Sequence, residues 1–93
     1  MTKPPAVRDN REKSRFELEE GGLTAVADYR RQGDHLLITH VEAPPALRGT
    51  GTADRLMTGV VAAARAEGVK VAPLCSYAAA FMRRHPEHSD LMA

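Results

Sequence analysis

The chain has a single cysteine, no tryptophan and only 4 % aromatic residues. One thiol cannot close an internal disulfide. That excludes a disulfide-stapled scaffold and makes a reducing, cytoplasmic compartment the expectation. With so few aromatics, small aliphatic side chains must fill the core. No apolar run approaches the length that crosses a membrane, and Met1-Thr2-Lys3-Pro4-Pro5 does not open a signal peptide. A net charge of +1 gives no general field for a polyanion, which argues against nucleic acid as a partner. There is no internal repeat, low-complexity tract or linker. The 93 residues read as one domain, 1–93, with the first six flexible and a core large enough to fold unaided.

What is present changes period halfway along. Phe16 and Leu18 alternate with Arg15, Glu17 and Glu19, the pattern of a half-buried strand. Glu20-Gly21-Gly22 is a turn. Ala25, Ala27 and Tyr29 share a face of the next strand, Arg31-Gln32-Gly33-Asp34 turns again, and 36–41 is a third strand. Val7 starts an earlier strand that pairs with Phe16 and Leu18 across a turn at Asp9-Asn10, which completes an antiparallel meander. Beyond the glycines the spacing becomes helical: Ala53, Leu56, Met57, Val60, Ala63 and Ala64 share a face. Thr52 is the expected N-cap and Gly68 the helix stop. The 69–74 run is a strand that Lys70 and Pro73 hold to an edge. Ser76 caps a second helix over 77–84, which Pro86 stops. The expected order is ββββ-α-β-α, a mixed α+β fold whose crossover helix joins a parallel pair of strands.

The most informative segment is Val41 to Leu56, VEAPPALRGTGTADRL. It is a strand end, a proline brake, a glycine-rich turn and the first turn of an amphipathic helix. Gly49 and Gly51 allow strained angles and close approach by a ligand. A helix N-terminus has unpartnered amides and favours negative charge, so the turn suits phosphate. Asp54 stands where a dinucleotide fingerprint needs a third small residue, and the P-loop lysine and spacing are absent.

Arg48-Gly49-Thr50-Gly51-Thr52-Ala53 instead resembles the pyrophosphate loop of the GCN5-related N-acetyltransferases. The whole order of elements resembles that fold with a shortened N-terminus. The small single-domain branch of the superfamily is the nearer likeness, on His40-Val41-Glu42, the Arg-Gly-x-Gly loop, Cys75-Ser76-Tyr77 and His85-Pro86-Glu87. The resemblance runs from about Phe16 to Leu91. It implies that loop amides of Leu47, Arg48, Gly49, Thr50, Gly51, Thr52 and Ala53 hold the diphosphate of acetyl-coenzyme A. It also implies that the strand ending at Val41 and Glu42 offers backbone groups to the pantetheine arm, and that Cys75 lies near the acetyl group. Two departures stand out. Ala46 occupies the place of a loop-anchoring Gln or Arg, and Met82 the place of the tyrosine that protonates the departing thiolate.

Each candidate has a plainer reading beside it. Cys75 is either a small buried hydrophobe or a nucleophile that takes the acetyl group in a thioester exchange. His40 is either a backbone-bonded imidazole or a general base for an amine or for Cys75. Glu42 either orients His40 and attracts a cationic acceptor or is a solvated charge. Arg83 and Arg84 complement a helix dipole, and Arg30 and Arg31 flank a turn. His85 and His88 read as surface imidazoles at a helix stop, so no metal site is expected. Met57 and Met82 are core filler.

The leading reading is an acetyl-coenzyme A-dependent N-acetyltransferase of unknown amine acceptor, by direct transfer or through acetyl-Cys75. The alternatives are a non-catalytic acyl-coenzyme A binding or sensing module, and an interaction domain whose glycine loop is purely structural. The shortness implies an open acceptor site in a monomer, or one completed by a second copy in a homodimer.

Overall fold

Alternating apolar residues from Phe16 to Ile38 build the sheet of the protein, seen in a computed structural model that describes residues 7–93. The expected flexibility of the first six residues lies outside the described residues. Strands β1 (Arg8–Asn10), β2 (Arg15–Glu20), β3 (Leu23–Gln32) and β4 (His35–Glu42) form an antiparallel meander. A 3-10 turn, Pro45–Leu47, leads to helix α1 (Thr52–Glu67), then β5 (Lys70–Pro73), helix α2 (Ser76–Arg84) and a closing 3-10 segment, Pro86–Leu91. The sheet order is β1-β2-β3-β4-β5, with β5 parallel to β4 at the edge. The expected order of elements and the mixed α+β class are what the structure contains.

The first hairpin differs in its turn. Asp9 and Asn10 belong to β1, opposite Phe16 and Arg15, and the chain reverses over residues 11–14. Asn10 closes that reversal, its side-chain oxygen accepting the Lys13 amide at 3.2 Å.

Both helices cover one face of the sheet. Phe16, Leu18, Ala25, Ala27, Tyr29, Leu36 and Ile38 are buried there under Leu56, Met57, Val60, Val61 and Ala64 of α1 and Ala78, Phe81 and Met82 of α2. Alternate strand residues face opposite ways, so Arg15, Glu17 and Asp28 take the other face. Glu17 is buried on that open face by Arg8 at 2.5 Å and Arg15 at 2.7 Å. Arg31 is not simply a turn-flanking charge: it bridges Asp9 at 3.2 Å and Glu67 at 3.0 Å and lies 5.1 Å over the Tyr29 ring. Gly59, inside α1, is explained by close approach, because a Cβ there would lie 2.2 Å from a Val7 methyl.

One irregularity decides what β4 presents. Asp28 pairs with His40 and Tyr29 with Ile38, so Thr39 is left over as a bulge. The bulge reverses the facing of everything after it. Val41 pairs with Ala27 and packs toward the core, while His40 and Glu42 join Asp28 on the open face.

Candidate active site

Ala43, Pro44 and Pro45 carry the chain from β4 into the 3-10 turn, where Leu47 and Arg48 amides donate to the carbonyls of Pro44 and Pro45. Gly49 and Gly51 follow with φ of +79° and +85°. These left-handed turns bring the chain abruptly to the start of α1. The N-cap is Gly51 rather than Thr52, and no side chain among the described residues caps the helix. Thr52 is instead the first helical residue, and its wholly buried hydroxyl donates to Glu20 Oε1 at 2.5 Å.

The amides divide into two sets. Those of Leu47, Arg48 and Thr50 are engaged within the turn. Those of Gly49, Gly51, Thr52, Ala53 and Asp54 donate to no carbonyl or side chain among the described residues. Unpartnered amides at the positive end of a helix form an anion cradle. The loop carbonyls are held out of it: Leu47 O accepts the Thr50 hydroxyl at 2.5 Å, and Thr50 O accepts Arg55 Nη2 at 3.1 Å.

A cleft of about 590 Å³ opens over this cradle. One wall is the loop, with Leu47, Arg48, Gly49, Gly51, Thr52 and Ala53; the other is the end of β4, with His40, Val41 and Glu42. Beside it β4 has a free edge. Strand β5 pairs with β4 only as far as Ile38, where the amides of Leu74 and Cys75 both donate to the Ile38 carbonyl. Residues 39–42 therefore present strand edge to the cleft. Thr50 of the expected set does not line it, and neither does Cys75.

Tyr77 closes the far side, a residue that counting along the sequence missed. Counting along the resemblance puts the place of the family's tyrosine at Met82, which is buried in the core. Tyr77 lies in the Cys-Ser-Tyr stretch already singled out, and that proximity was the available signal. Its hydroxyl donates to Asp54 Oδ1, which also accepts Arg84 Nη2 at 2.8 Å. Burial, then the Asp54 carboxylate, raises the phenol above its ordinary pKa. Arg84 also lies 5.8 Å over the Tyr77 ring, so it braces two cleft-lining residues, Tyr77 and Asp54, rather than being a purely solvated charge.

Cys75, not Ser76, is the N-cap of α2, and its half-buried sulfur accepts the Ala78 amide at 3.3 Å. His40 is exposed, with Nε2 3.6 Å from Glu42 Oε1. The Cys75 amide donates to the carbonyl of Ile38, two residues before His40 on β4, and no hydrogen bond joins the Cys75 and His40 side chains. His85 and His88 are not free surface imidazoles: both are half-buried, and their rings lie 4.3 and 6.3 Å from that of Phe81.

A helix N-terminus with open amides, beside a free strand edge in a mixed sheet, defines the class of protein: an α+β fold with an anion cradle at one helix end. The GCN5-related N-acetyl-transferase family model matches residues 15–91, and the chain belongs to that family. The chain is similar in fold to a GCN5-like N-acetyltransferase candidate from Staphylococcus aureus, known from its NMR solution structure. The TM-score is 0.69 at 19 % identity, over 99 % of this chain and 91 % of that one. No curated protein matches the chain.

Proposed function

We propose that the cleft binds acetyl-coenzyme A and that the protein transfers its acetyl group to an amine. The observation that carries this reading is the set of unpartnered amides at Gly49, Gly51, Thr52, Ala53 and Asp54. They fit a diphosphate, and a side chain at Gly51 would intrude on the same turn. Arg48 adds an exposed cation at the rim. Leu47 and Val41 supply apolar wall, and the free edge of β4 offers backbone groups to an extended amide-containing arm. His40, which lines the cleft, takes a proton from the attacking amine. Tyr77 offers a phenol proton to a departing thiolate and can recover one through Asp54.

A second route uses Cys75. Its thiolate would attack the thioester carbonyl and expel the coenzyme thiolate, and the amine would then attack acetyl-Cys75 and release the thiol. The sulfur's place at the start of α2, which also carries Tyr77 into the cleft, favours keeping this route open.

Calorimetric titration with acetyl-coenzyme A, followed by turnover with a panel of amines, tests the proposal. Saturable binding with amine-dependent release of coenzyme A is expected. Binding without turnover would leave an acyl-coenzyme A binding or sensing module, and no binding would sink the cofactor reading.

A further inference from the structure

Glu20 ends β2, far in sequence from the loop, yet its carboxylate is in contact with it. Oε2 accepts Arg55 Nε at 2.7 Å, and Oε1 accepts both Arg55 Nη2 at 2.8 Å and Thr52 Oγ1 at 2.5 Å. This is a two-pronged guanidinium–carboxylate pair, the geometry that fixes direction as well as distance. Arg55 Nη2 also reaches Thr50 O at 3.1 Å. The Thr50 hydroxyl in turn lies 2.8 Å from that of Thr52.

A peptide unit is planar and trans, so its C=O and N–H point in opposite directions. Turning the Thr50 carbonyl toward Arg55 therefore turns the Gly51 N–H away from it. Gly51 has no side chain to bias that plane, and its backbone would otherwise be free to flip.

We infer that Glu20, Arg55 and Thr52 are positioning residues: they clasp the Thr50–Gly51 peptide so that the Gly51 amide is aimed into the cradle before the ligand arrives. The inference rests on the reading of the loop as a diphosphate site. An amide already aimed needs no ordering at the moment of binding, which is how preorganised donors gain affinity. Arg55, followed by Thr52, holds the Glu20 carboxyl down at about 2, so the clasp is charged throughout the neutral range.

Arg55 could serve the ligand differently, by leaving Glu20 and taking a phosphate itself. The two roles predict opposite signs. Loss of the Glu20 charge loosens a clasp and weakens binding, whereas it frees a direct phosphate ligand and tightens binding.

The test is acetyl-coenzyme A titration of the parent, Glu20→Gln, Thr52→Val and Thr52→Ser, with amide NMR spectra of each in the ligand-free state. Glu20→Gln and Thr52→Val should each raise Kd about tenfold, the scale of one lost charged hydrogen bond. Both should shift the Gly51 amide resonance before any ligand is added. Thr52→Ser keeps the hydroxyl and should recover most of the affinity that Thr52→Val loses, which separates the clasp from a general loss of packing. Unchanged or tighter binding by Glu20→Gln, or an unmoved Gly51 amide, overturns the inference. A parent that binds no acetyl-coenzyme A sinks the loop assignment and the inference together; a parent that binds while the variants match it sinks the inference alone.

Discussion

The two helices begin in opposite ways. Helix α1 starts from Gly51, a left-handed residue with no side chain of its own to cap the helix, and two threonines within reach turn their hydroxyls to Leu47 O and Glu20 instead. Helix α2 starts from Cys75, an extended residue whose own sulfur accepts the Ala78 amide. A side-chain cap occupies the place an anion would take. One helix thus keeps its amides open, and the other satisfies part of its own need. The same local chemistry yields an open, anion-accepting end in one helix and a structural joint in the other.

The largest expected effect comes from closing the open end. Gly51→Val places a β-branched residue at φ +85°, with a Cβ 2.9 Å from Arg55 Nη1. The backbone conformation alone costs about 1–2 kcal/mol. Displacing Arg55 should also release the Thr50 carbonyl. Affinity for acetyl-coenzyme A should fall more than tenfold, above about 1.4 kcal/mol, while circular dichroism reports a folded chain. Calorimetry that finds parent-like binding in the folded variant would remove the phosphate reading of this helix end.

That contrast was half legible in the sequence. The meander, the crossover helix and the glycine turn follow from periods of two and 3.6 and from Gly and Pro positions, all local properties. The caps were each misplaced by one residue, Thr52 for Gly51 and Ser76 for Cys75. Capping preference ranks residue types, and here a left-handed glycine and a cysteine stand where better cappers lie next to them. The bulge at Thr39 was not legible, because it depends on how β3 and β4 pair, and it sends His40 and Glu42 to the open face. Nor were Glu20–Arg55 and Tyr77–Asp54–Arg84. Each joins residues far apart in sequence, and single-chain patterning carries no information about such partners.

Arg48 sharpens the comparison from the side-chain direction. It is exposed, lines the cleft, and its Nε donates a long hydrogen bond to Ala43 O at 3.4 Å. If backbone amides are the principal anchor, Arg48→Ala should weaken acetyl-coenzyme A binding on the order of 1–2 kcal/mol, one lost charge-assisted contact. Complete loss of binding in a folded protein would make the guanidinium, rather than the open helix end, the main holder.

Two carboxylates on β2 offer a pH test with an internal control. Glu20 serves the open end, whereas Glu17 lies on the opposite face. Glu17 is held down to about 2, first by Arg8 and then by Arg15, and Glu20 likewise by Arg55 and Thr52. Both folded values lie below the ordinary 4.5. The stability each contributes is therefore full above that value and lost as pH falls toward about 2. Urea midpoints should decline across that interval, and either Glu17→Gln or Glu20→Gln should flatten the decline. Only Glu20→Gln should also weaken acetyl-coenzyme A at neutral pH. Equal effects of the two variants on binding would break the link between Glu20 and the loop.

The smallest effect should come from the closed end. A hydroxyl oxygen is a better acceptor than a thiol sulfur, and serine is among the preferred N-caps. Cys75→Ser should therefore strengthen the cap of α2, offset in part by placing a hydroxyl where a half-buried sulfur packed. The net gain in unfolding free energy should be about 0.5 kcal/mol, read from urea midpoints at constant m-value. Affinity for acetyl-coenzyme A should be unchanged, because this helix end holds no part of the cradle. The same variant addresses the two-step route. Parent protein incubated with acetyl-coenzyme A gains one acetyl group, removable by neutral hydroxylamine, if the thiol carries it; Cys75→Ser should show no such adduct. Loss of binding in Cys75→Ser comparable to that in Gly51→Val would mean that both helix ends hold the ligand, and the distinction between them would fall.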